Sequence, residues 1–454
     1  MNNKFLLSVF LMLSFACSNQ TVSIKESVES FVTYPFSDPD PIPNPERDYY
    51  PYFRYGGFSL DPVDRDWKVV TLENEYIKVF IFPEVGGKIW GAIEKSTGRE
   101  FVYYNSVVKF RDIAMRGPWT SGGIEFNFGT IGHAPTTSNP VDYITRKNDD
   151  GSVSCIVGAN ELLTRTRWEV EIRLPEGKAW FSTTTTFQNS TSLLQPYYQW
   201  HNGAFQAEGE LEYCFPGDVR LGHGGEARDW PTDNEGRNLS WYKNNAFGGA
   251  KSDMIIGSTQ GFFAAYWHDN DFGSGHYAHY GDKPGRKIFS WAQSRSGEIW
   301  EDLLTDADGQ YIEMQSGKSL NQAGTSSMWT PFKHLGFEPW QTDIFTEYWF
   351  PILSTGGVSQ ANAFGALNVT RDGSDIEISF CPLEKTDDEI KIFFGNDLHE
   401  SYKVTLDPLE TWRTELSATR GSEPLKIILG DKKLEYYEKP EGLKRPVRIP
   451  EEFD

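Results

Sequence analysis

The chain has 454 residues and a formal net charge of −21, with 64 acidic against 43 basic residues. This acidic balance argues against nucleic acid or an anionic membrane surface as a partner. The length exceeds one ordinary core, so several domains, or one large domain with an appendage, are expected. Aromatic residues make up 15% of the chain and accompany 42 glycines and 25 prolines, a composition that favours an all-β protein.

The N-terminus has the pattern of an export signal. Lys4 is followed by the apolar run FLLSVFLMLSFA and then by Cys17. This charged start and short apolar core are typical of a secretory signal peptide over residues 1–17. The residues SFAC resemble a lipobox, which predicts a lipid anchor on Cys17 and attachment to a bacterial membrane, at the periplasm or the cell surface. No other stretch has the length that a membrane-spanning helix requires.

The rest of the chain divides by composition. Residues 18–59 are predicted to form a polar tether and a proline-rich arm. Residues 60–355 contain alternating apolar and polar segments between Gly/Pro turns, which predict a large antiparallel β domain. Residues 356–454 have fewer aromatics and a plainer β pattern, which predicts a small C-terminal β-sandwich and a tail.

One strand carries a candidate catalytic carboxylate. In the segment GQYIEMQSGKSLNQ, alternation places Glu313 and Gln315 on one face and Ile312 and Met314 on the other. A carboxylate beside an amide suits the binding and deprotonation of a sugar hydroxyl. The alternative is a half-exposed strand with a solvated glutamate.

Four further stretches combine polar and aromatic side chains among turn residues, where binding residues often lie. Their candidate substrate-binding residues, with Gln315 of the strand above, are Arg116, Trp119, Asn127, His133, Trp200, Asn202, Trp300, Glu301, Gln315 and Tyr348. His201 is a candidate acid, and Glu125 and Glu347 are candidate carboxylates. For each stretch the alternative is a structural role, such as an ordered crossover loop, a structural histidine or a carboxyl that anchors a loop.

No cofactor is predicted. His276, His279 and Asp282 have the residue types of a metal site, but their Gly/Pro surroundings give no helix to fix the ligand spacing. The sequence therefore predicts no metal ligands, and a structural or substrate-bridging divalent cation remains open.

Three segments in order, FPEVGGKIWGAIEKSTGREFVYYN, PYYQWHNGAF and GQYIEMQSGKSLNQ, resemble the galactose-mutarotase-like (aldose 1-epimerase-like) superfamily. The resemblance implies a mutarotase-like β-supersandwich, with His201 as acid and Glu313 as base. It also implies supporting roles for Gln315 and Asn321 and substrate-binding roles for His133 and Arg116. The middle of the chain is similar to a secreted bacterial subfamily described only as a domain of unknown function. Members often carry helical repeats after the sandwich, which this chain is expected to lack.

We therefore expect an exported carbohydrate-active enzyme, in the first place a glycoside hydrolase acting on a poly- or oligosaccharide. Glu313 and His201 would supply acid–base chemistry, and Glu125 or Glu347 the second carboxylate that glycoside cleavage generally needs. The concave face would be lined by Trp119, Trp200, Trp300 and Tyr348. The alternatives are a sugar epimerase of the aldose 1-epimerase type and a non-catalytic glycan-binding lipoprotein. A polysaccharide lyase is a lesser alternative, which the clustering of Arg111 and Arg116 leaves open. The epimerase pattern has Asn-His where this chain has Trp-His-Asn, and its usual HGG is absent.

Overall fold

The computed structural model describes residues 22–36, 57–111, 118–129, 132–223, 225–319, 335–417 and 423–438. The signal peptide with Cys17, most of the proline-rich arm, Arg116 and Asn321 lie outside the described residues.

The described chain is almost entirely β-structure, which confirms the predicted all-β class. The strands of the first half are β1 Ser23–Tyr34, β2 Val63–Glu73, β3 Ile77–Phe82, β4 Lys88–Glu94, β5 Glu100–Val102, β6 Val107–Lys109, β7 Ile124–Phe128, β8 Asp142–Lys147, β9 Val153–Glu161, β10 Thr166–Leu174, β11 Phe181–Gln188, β12 Gln195–Tyr197, β13 Gln199–Gln206, β14 Leu211–Cys214, β15 Val219–Leu221 and β16 Ala227–Asp229. Those of the second half are β17 Lys251–Ile256, β18 Phe262–Trp267, β19 Phe272–Ala278, β20 Gly285–Ser290, β21 Tyr311–Gly317, β22 Leu335–Phe337, β23 Thr342–Leu353, β24 Gln360–Asn362, β25 Gly365–Asp372, β26 Asp375–Pro382, β27 Thr386–Phe394, β28 Asp397–Leu406, β29 Trp412–Ser417, β30 Leu425–Leu429 and β31 Leu434–Tyr437. The α-helix α1 spans Arg295–Leu304, and two 3-10 turns span Pro135–Ser138 and Tyr242–Asn245. Within the described ranges, no helix combines the length and apolar character that crossing a bilayer requires.

Two large sheets form the body of the fold. The 13-stranded sheet runs β16-β15-β17-β20-β21-β13-β7-β4-β3-β2-β1-β6, with β5 on β4. The 8-stranded sheet runs β14-β18-β19-β23-β11-β10-β9-β8. Nearly all neighbouring strands are antiparallel, as hairpin and meander connections produce; β1 and β6 pair in parallel.

The two large sheets pack face to face over an aromatic core. In β10, for example, Trp168, Val170 and Ile172 point inward while the residues between them face outward, the alternation expected of a sheet with one solvated face. Trp168 stacks on Phe128 of the opposite sheet, with ring centroids 4.9 Å apart. Complete burial of each such side chain stabilises the fold by about 1.5–3 kcal/mol, so this core fixes how the two sheets face each other.

Two four-stranded sheets, β24-β25-β26-β29 and β28-β27-β30-β31, enclose a separate C-terminal core. The last strand of the large sheets ends at Leu353, and the first strand of the small ones begins at Gln360. A third apolar cluster, which includes Phe350, Cys381 and Leu383, packs the small sandwich against the 8-stranded sheet.

The expected tether contains a strand instead. Residues 23–34 form β1, which pairs with β2 over a continuous antiparallel register from Ser23 to Thr33. Most of its side chains are exposed or half-exposed, and only Phe31 and Thr33 are buried. Backbone pairing with β2, rather than burial of apolar side chains, holds this strand in place. Its sequence therefore lacks the apolar alternation by which a strand is predicted.

Candidate functional site

Four neighbouring strands, β20, β21, β13 and β7, build the candidate site. Their register aligns Lys287, Gln315, Asn202 and Glu125 in one row across the sheet. Side chains of such a row share one face, because strand residues alternate. The intervening residues, such as Met314, point the other way into the core between the large sheets. We call the face that carries the row the site face.

Glu313 lies on the site face, two residues before Gln315 along β21 and opposite Ala204 of β13. It is 5% exposed, and its Oε2 accepts a hydrogen bond of 2.9 Å from Nε2 of Gln315. Burial raises the pKa of Glu313 above its usual value; His133 opposes this rise and Glu125 adds to it. A raised pKa makes a carboxylate a stronger base, which suits a group that takes a proton from a hydroxyl.

Glu125 is held by three donors. Nε1 of Trp119 donates to Oε2 at 2.6 Å, Nδ2 of Asn127 donates to Oε1 at 2.9 Å, and Nδ1 of His133 contacts Oε1 closely. Asn127 is itself fixed by the backbone N–H of Ala134, which donates to its Oδ1 at 2.7 Å. With both oxygens engaged, Glu125 orients His133 rather than facing a substrate itself.

The Glu125–His133 pair is ionised. Burial alone would raise the pKa of Glu125, but the charge and hydrogen bond of His133, with Lys88 and Asn127, lower it to about 2. Burial would lower the pKa of His133, and the adjacent Glu125 raises it above its usual value instead. His133 is therefore held as an imidazolium with Nδ1 on Glu125, which leaves Nε2 as the nitrogen that can give a proton to a ligand.

Two lysines that the sequence analysis missed also lie at the site. Nζ of Lys88 donates at 2.7 Å to the carbonyl of Thr120, and burial lowers its pKa to about 8 against the attraction of Glu125 and Glu313. Burial likewise lowers the pKa of Lys287 to about 8, against the attraction of Glu313 and Asp253. The sequence did contain a signal for these two lysines. Each stands in a largely apolar strand segment, Lys88 in KIWGAIE and Lys287 in GRKIFS.

Aromatic rings border the site. The His133 ring lies edge-on to Trp119 and to Trp200, with centroids 5.4 and 5.1 Å apart. Beside Trp200 there is a recess, and the side chains that line it include Trp200, Met254, Lys287, Gln315 and Ser319, with Gly317 between them.

His201 does not lie on the site face. In register it pairs with Ser316, whereas Glu313 pairs with Ala204, so His201 and Glu313 point to opposite faces of the sheet. His201 is fully buried between the sheets, and burial lowers its pKa to about 4 despite the adjacent Glu347. The expected partnership of His201 as acid with Glu313 as base is therefore wrong.

Glu347, the other expected catalytic carboxylate, forms a buried cluster with His201. It contacts Nδ1 of His201, accepts from Nε2 of His276 at 2.9 Å and lies 3.4 Å from Nζ of Lys283. These partners hold the pKa of Glu347 well below its usual value, although burial opposes them. Glu347 is fully buried between the sheets, so its role is structural.

Tyr348 lies apart from the site face. It packs against Trp180, with centroids 5.0 Å apart, in the cluster that joins the 8-stranded sheet to the C-terminal sandwich. Trp300 and Glu301 lie on α1, and Trp300 stacks on Trp291 and packs against the cluster that contains Trp119 and Ala204. Of the expected residues, the structure brings together Glu125, Glu313, Trp119, Asn127, His133, Trp200, Asn202, Gln315 and Trp300.

No group of three or more histidine, cysteine, aspartate or glutamate side chains in the described ranges is arranged to hold a metal ion. Within those ranges, His279 approaches Asp282 at 3.8 Å and is largely exposed, while His276 is buried against Glu347.

A protein-family model and several solved structures match this chain. A model of the family described as "Domain of unknown function (DUF5107)" matches residues 44–352. A TPR-domain containing protein from Parabacteroides distasonis is 24% identical, with a TM-score of 0.63 over 73% of this chain and 55% of that one. The matched region thus spans about half the length of that protein.

Galactose mutarotase-like proteins are also among the similar structures. One from Lactobacillus casei is 14% identical over 62% of this chain and 99% of its own, with a TM-score of 0.45. Another from Clostridium acetobutylicum is 11% identical over 63% and 95%, with a TM-score of 0.46.

Proposed function

This chain belongs to the DUF5107 family, and we propose that it is a carbohydrate-active enzyme that transfers protons at the anomeric centre of a sugar. Glu313 acts as the base and His133 as the acid. The observation that carries this proposal is the pairing of a raised-pKa carboxyl with a carboxylate-oriented imidazolium on one buried face. The motif resemblance to aldose 1-epimerases supports Glu313 as the base and places His133 at the sugar, whereas the acid role of His133 rests on the structure alone.

The charge states suit reversible opening of a sugar ring. Glu313 accepts the proton of the anomeric hydroxyl while Nε2 of His133 donates a proton to the ring oxygen, and the ring C–O bond breaks. Rotation of the freed aldehyde and ring closure, with both protons returned, give the other anomer. Burial raises the pKa of Glu313, which strengthens it as a base, and Glu125 raises the pKa of His133, which favours its protonated form as the acid.

Neighbouring groups suit the binding of a polyhydroxylated ring. Asn202 is buried, and in the described part of the chain its Oδ1 has no hydrogen-bond partner. A buried amide oxygen without a partner costs free energy that a sugar hydroxyl, as donor, would recover. Trp200 supplies an apolar wall beside it.

Glycoside hydrolysis is the second candidate, because two carboxylates lie on the site face. Glu125 pairs with Asn202 and Glu313 with Ala204, from the two strands that flank β13, so their backbones are about 12 Å apart and their carboxyl groups can lie closer. Inverting glycosidases hold their carboxyl groups roughly 6.5–9.5 Å apart, which leaves room for a water molecule. In that reaction Glu313 would protonate the leaving oxygen, and the Glu125–His133 pair would activate the water only with His133 in its neutral form, so this route needs the pair to have lost the proton that it holds in the epimerase route.

One experiment separates these functions. Anomer exchange of glucose, galactose and their uronic acids is followed by NMR, beside release of reducing ends from a panel of glycans. Glu313→Gln and His133→Asn are each expected to reduce the active assay about 100-fold or more, the usual scale of acid–base catalysis. The matched controls are Glu301→Gln on α1 and His268→Asn, whose half-buried ion pair with Glu212 lies elsewhere in the fold; both should remain within about twofold of wild type.

Anomer exchange without release of reducing ends identifies an epimerase, and release of reducing ends identifies a hydrolase. Glycan binding with neither reaction would make the chain a binding protein. Wild-type turnover by Glu313→Gln would refute the assignment of the base.

We also propose that the chain is exported and anchored in a bacterial membrane through an acylated Cys17. The charged start, the short apolar core and the SFAC sequence support this. Metabolic labelling with a radioactive fatty acid is expected to mark the wild type and not Cys17→Ala. Labelling that persists in Cys17→Ala would contradict the anchor.

A further inference from the structure

Aromatic side chains line the site face on both sides of Glu313. Trp200 lies towards one end, because it pairs with Gly317, four residues after Glu313 on β21. Phe289 of β20 pairs with Glu313 itself, and Trp291 follows two residues later in the opposite direction. Phe289 and Trp291 are half-buried, and their rings meet edge-on with centroids 5.1 Å apart. This second aromatic group therefore begins at Glu313 and extends away from Trp200.

Helix α1 adds a third ring to the second group. Trp300 stacks on Trp291, with ring centroids 4.8 Å apart and an angle of 21° between the planes. Trp300 is half-buried, and it packs against the cluster that contains Trp119 and Tyr311. We call Phe289, Trp291 and Trp300 the aromatic ledge. An apolar surface beside a few placed polar groups is typical of a small-ligand site.

Tyr311 supplies a polar group beside the aromatic ledge. Alternation along β21 places it on the site face, two residues before Glu313, and it is 1% exposed. Nε1 of Trp291 faces its hydroxyl, but an indole N–H can only donate, and in the described part of the chain the phenol proton has no acceptor. A buried donor without an acceptor costs free energy that an oxygen atom of a ligand would recover.

The two aromatic groups are too far apart for one pyranose ring to contact both. A strand rises about 3.3 Å per residue, so the backbones of Gly317, beside Trp200, and Tyr311 lie about 20 Å apart along β21. Glu313 stands between them, about 7 Å from Tyr311. His133 contacts Trp200, so a sugar held by Glu313 and His133 lies on the Trp200 side. A second sugar joined to it in the other direction would meet the aromatic ledge.

We infer that the aromatic ledge and Tyr311 form a second sugar subsite, so that the substrate is a disaccharide or a longer glycan rather than a free monosaccharide. The ledge packs against the C–H face of the second ring, and the hydroxyl of Tyr311 donates to one of its oxygens. Trp291 faces that hydroxyl in the free protein, so its half-buried ring turns aside as the second sugar enters.

The inference rests on the proposed function, since it takes Glu313 and His133 to hold the first sugar. It narrows the substrate class for both candidate reactions. An epimerase would act on the reducing end of such a glycan, and a hydrolase would act on the bond between the two rings.

Calorimetric binding of matched monosaccharides and disaccharides tests the subsite. Glucose, galactose, mannose, xylose and glucuronate are each compared with their α- and β-linked disaccharides, in the wild type and in Glu313→Gln, where turnover does not interfere. We expect at least one disaccharide to bind about tenfold or more tightly than its monosaccharide, because the second ring removes apolar surface of the ledge from water.

Variants separate the subsite from a general effect of aromatic residues. Trp300→Ala and Tyr311→Phe should each lower the preference for the disaccharide about threefold or more. Trp412→Ala is the control for the first, because Trp412 is a half-buried tryptophan of the C-terminal sandwich that packs on Tyr402. Tyr213→Phe is the control for the second, because Tyr213 is a buried tyrosine of the core between the large sheets. Both controls should leave the preference unchanged. If Trp300→Ala does not fold, Trp300→Leu gives the same comparison.

Equal binding of monosaccharides and disaccharides throughout the panel, or a preference that survives either variant, overturns the subsite. Turnover of monosaccharides that is lost in Glu313→Gln, without any preference for disaccharides, overturns the subsite alone. A preference that depends on Trp300 and Tyr311, without turnover that depends on Glu313, supports the subsite and overturns the proposed chemistry.

Discussion

Removal of the charge of Glu347 should destabilise the fold without removing the chemistry. In Glu347→Gln, Lys283 loses the carboxylate 3.4 Å away while both residues remain fully buried. Breaking a buried ion pair by removing one partner costs about 3–5 kcal/mol, because the other charge stays buried without compensation. The amide still accepts one hydrogen bond, so we expect a loss near the lower end, about 3 kcal/mol. Replacing both groups, in Glu347→Gln/Lys283→Met, should restore most of it.

The assay is urea unfolding followed by tryptophan fluorescence, with turnover measured well below the unfolding transition. Glu212→Gln is the control, because its partner His268 is half-buried at the surface; it should cost less than about 1 kcal/mol. The folded fraction of Glu347→Gln should keep wild-type turnover. A loss of less than about 1 kcal/mol, or a folded variant without activity, would refute the structural role of the cluster.

Three further predictions follow from the site and the core. Lys287→Met should be more stable than wild type at pH 7, because the folded-state pKa of about 8 lies below the usual 10.5 and charged Lys287 opposes folding. That gain in the free energy of unfolding is on the order of 3 kcal/mol at most, and it should shrink as pH rises from 8 to 10.5. Urea titrations across this pH range measure the gain, and a gain that grows with pH would contradict the reasoning. Trp119→Phe removes a hydrogen-bond donor to Glu125, so kcat should fall about tenfold with little change in KM. An unchanged kcat would show that this hydrogen bond does not position the Glu125–His133 pair. Trp168→Ala should lower the free energy of unfolding by about 3–5 kcal/mol in urea titrations, since the ring fills the core between the sheets; a loss below 1 kcal/mol would contradict that packing.

Local patterns were enough to predict the β class and the strand that carries Glu313. Alternation correctly placed Glu313 with Gln315, and Ile312 with Met314, because period-2 patterning depends only on the strand itself. It could not place His201, because the face that a residue shares with Glu313 depends on the register between β13 and β21. A shift of one residue exchanges the faces, so Asn202 rather than His201 lies beside Gln315.

Long-range contacts account for the other differences. The motif around Glu347 showed a carboxyl among aromatics, but its partners His276 and Lys283 come from a distant part of the chain. His133 was expected only as a binding residue, and its contact with Glu125 gives it the acid role proposed here. Lys88 and Lys287 each lie inside an apolar strand, and only the assembled sheet brings both near Glu313.

The most direct test of the account compares two histidine variants in the anomer-exchange and reducing-end assays. His133 lies on the site face with Glu313, whereas His201 lies between the sheets against Glu347. The account predicts that the folded fraction of His133→Asn loses at least 100-fold in kcat, with a loss of stability as well, because Glu125 stays buried without its cation. It predicts that His201→Asn loses stability but keeps kcat within a few-fold in the folded fraction. Loss of kcat in folded His201→Asn together with an active His133→Asn would contradict the account.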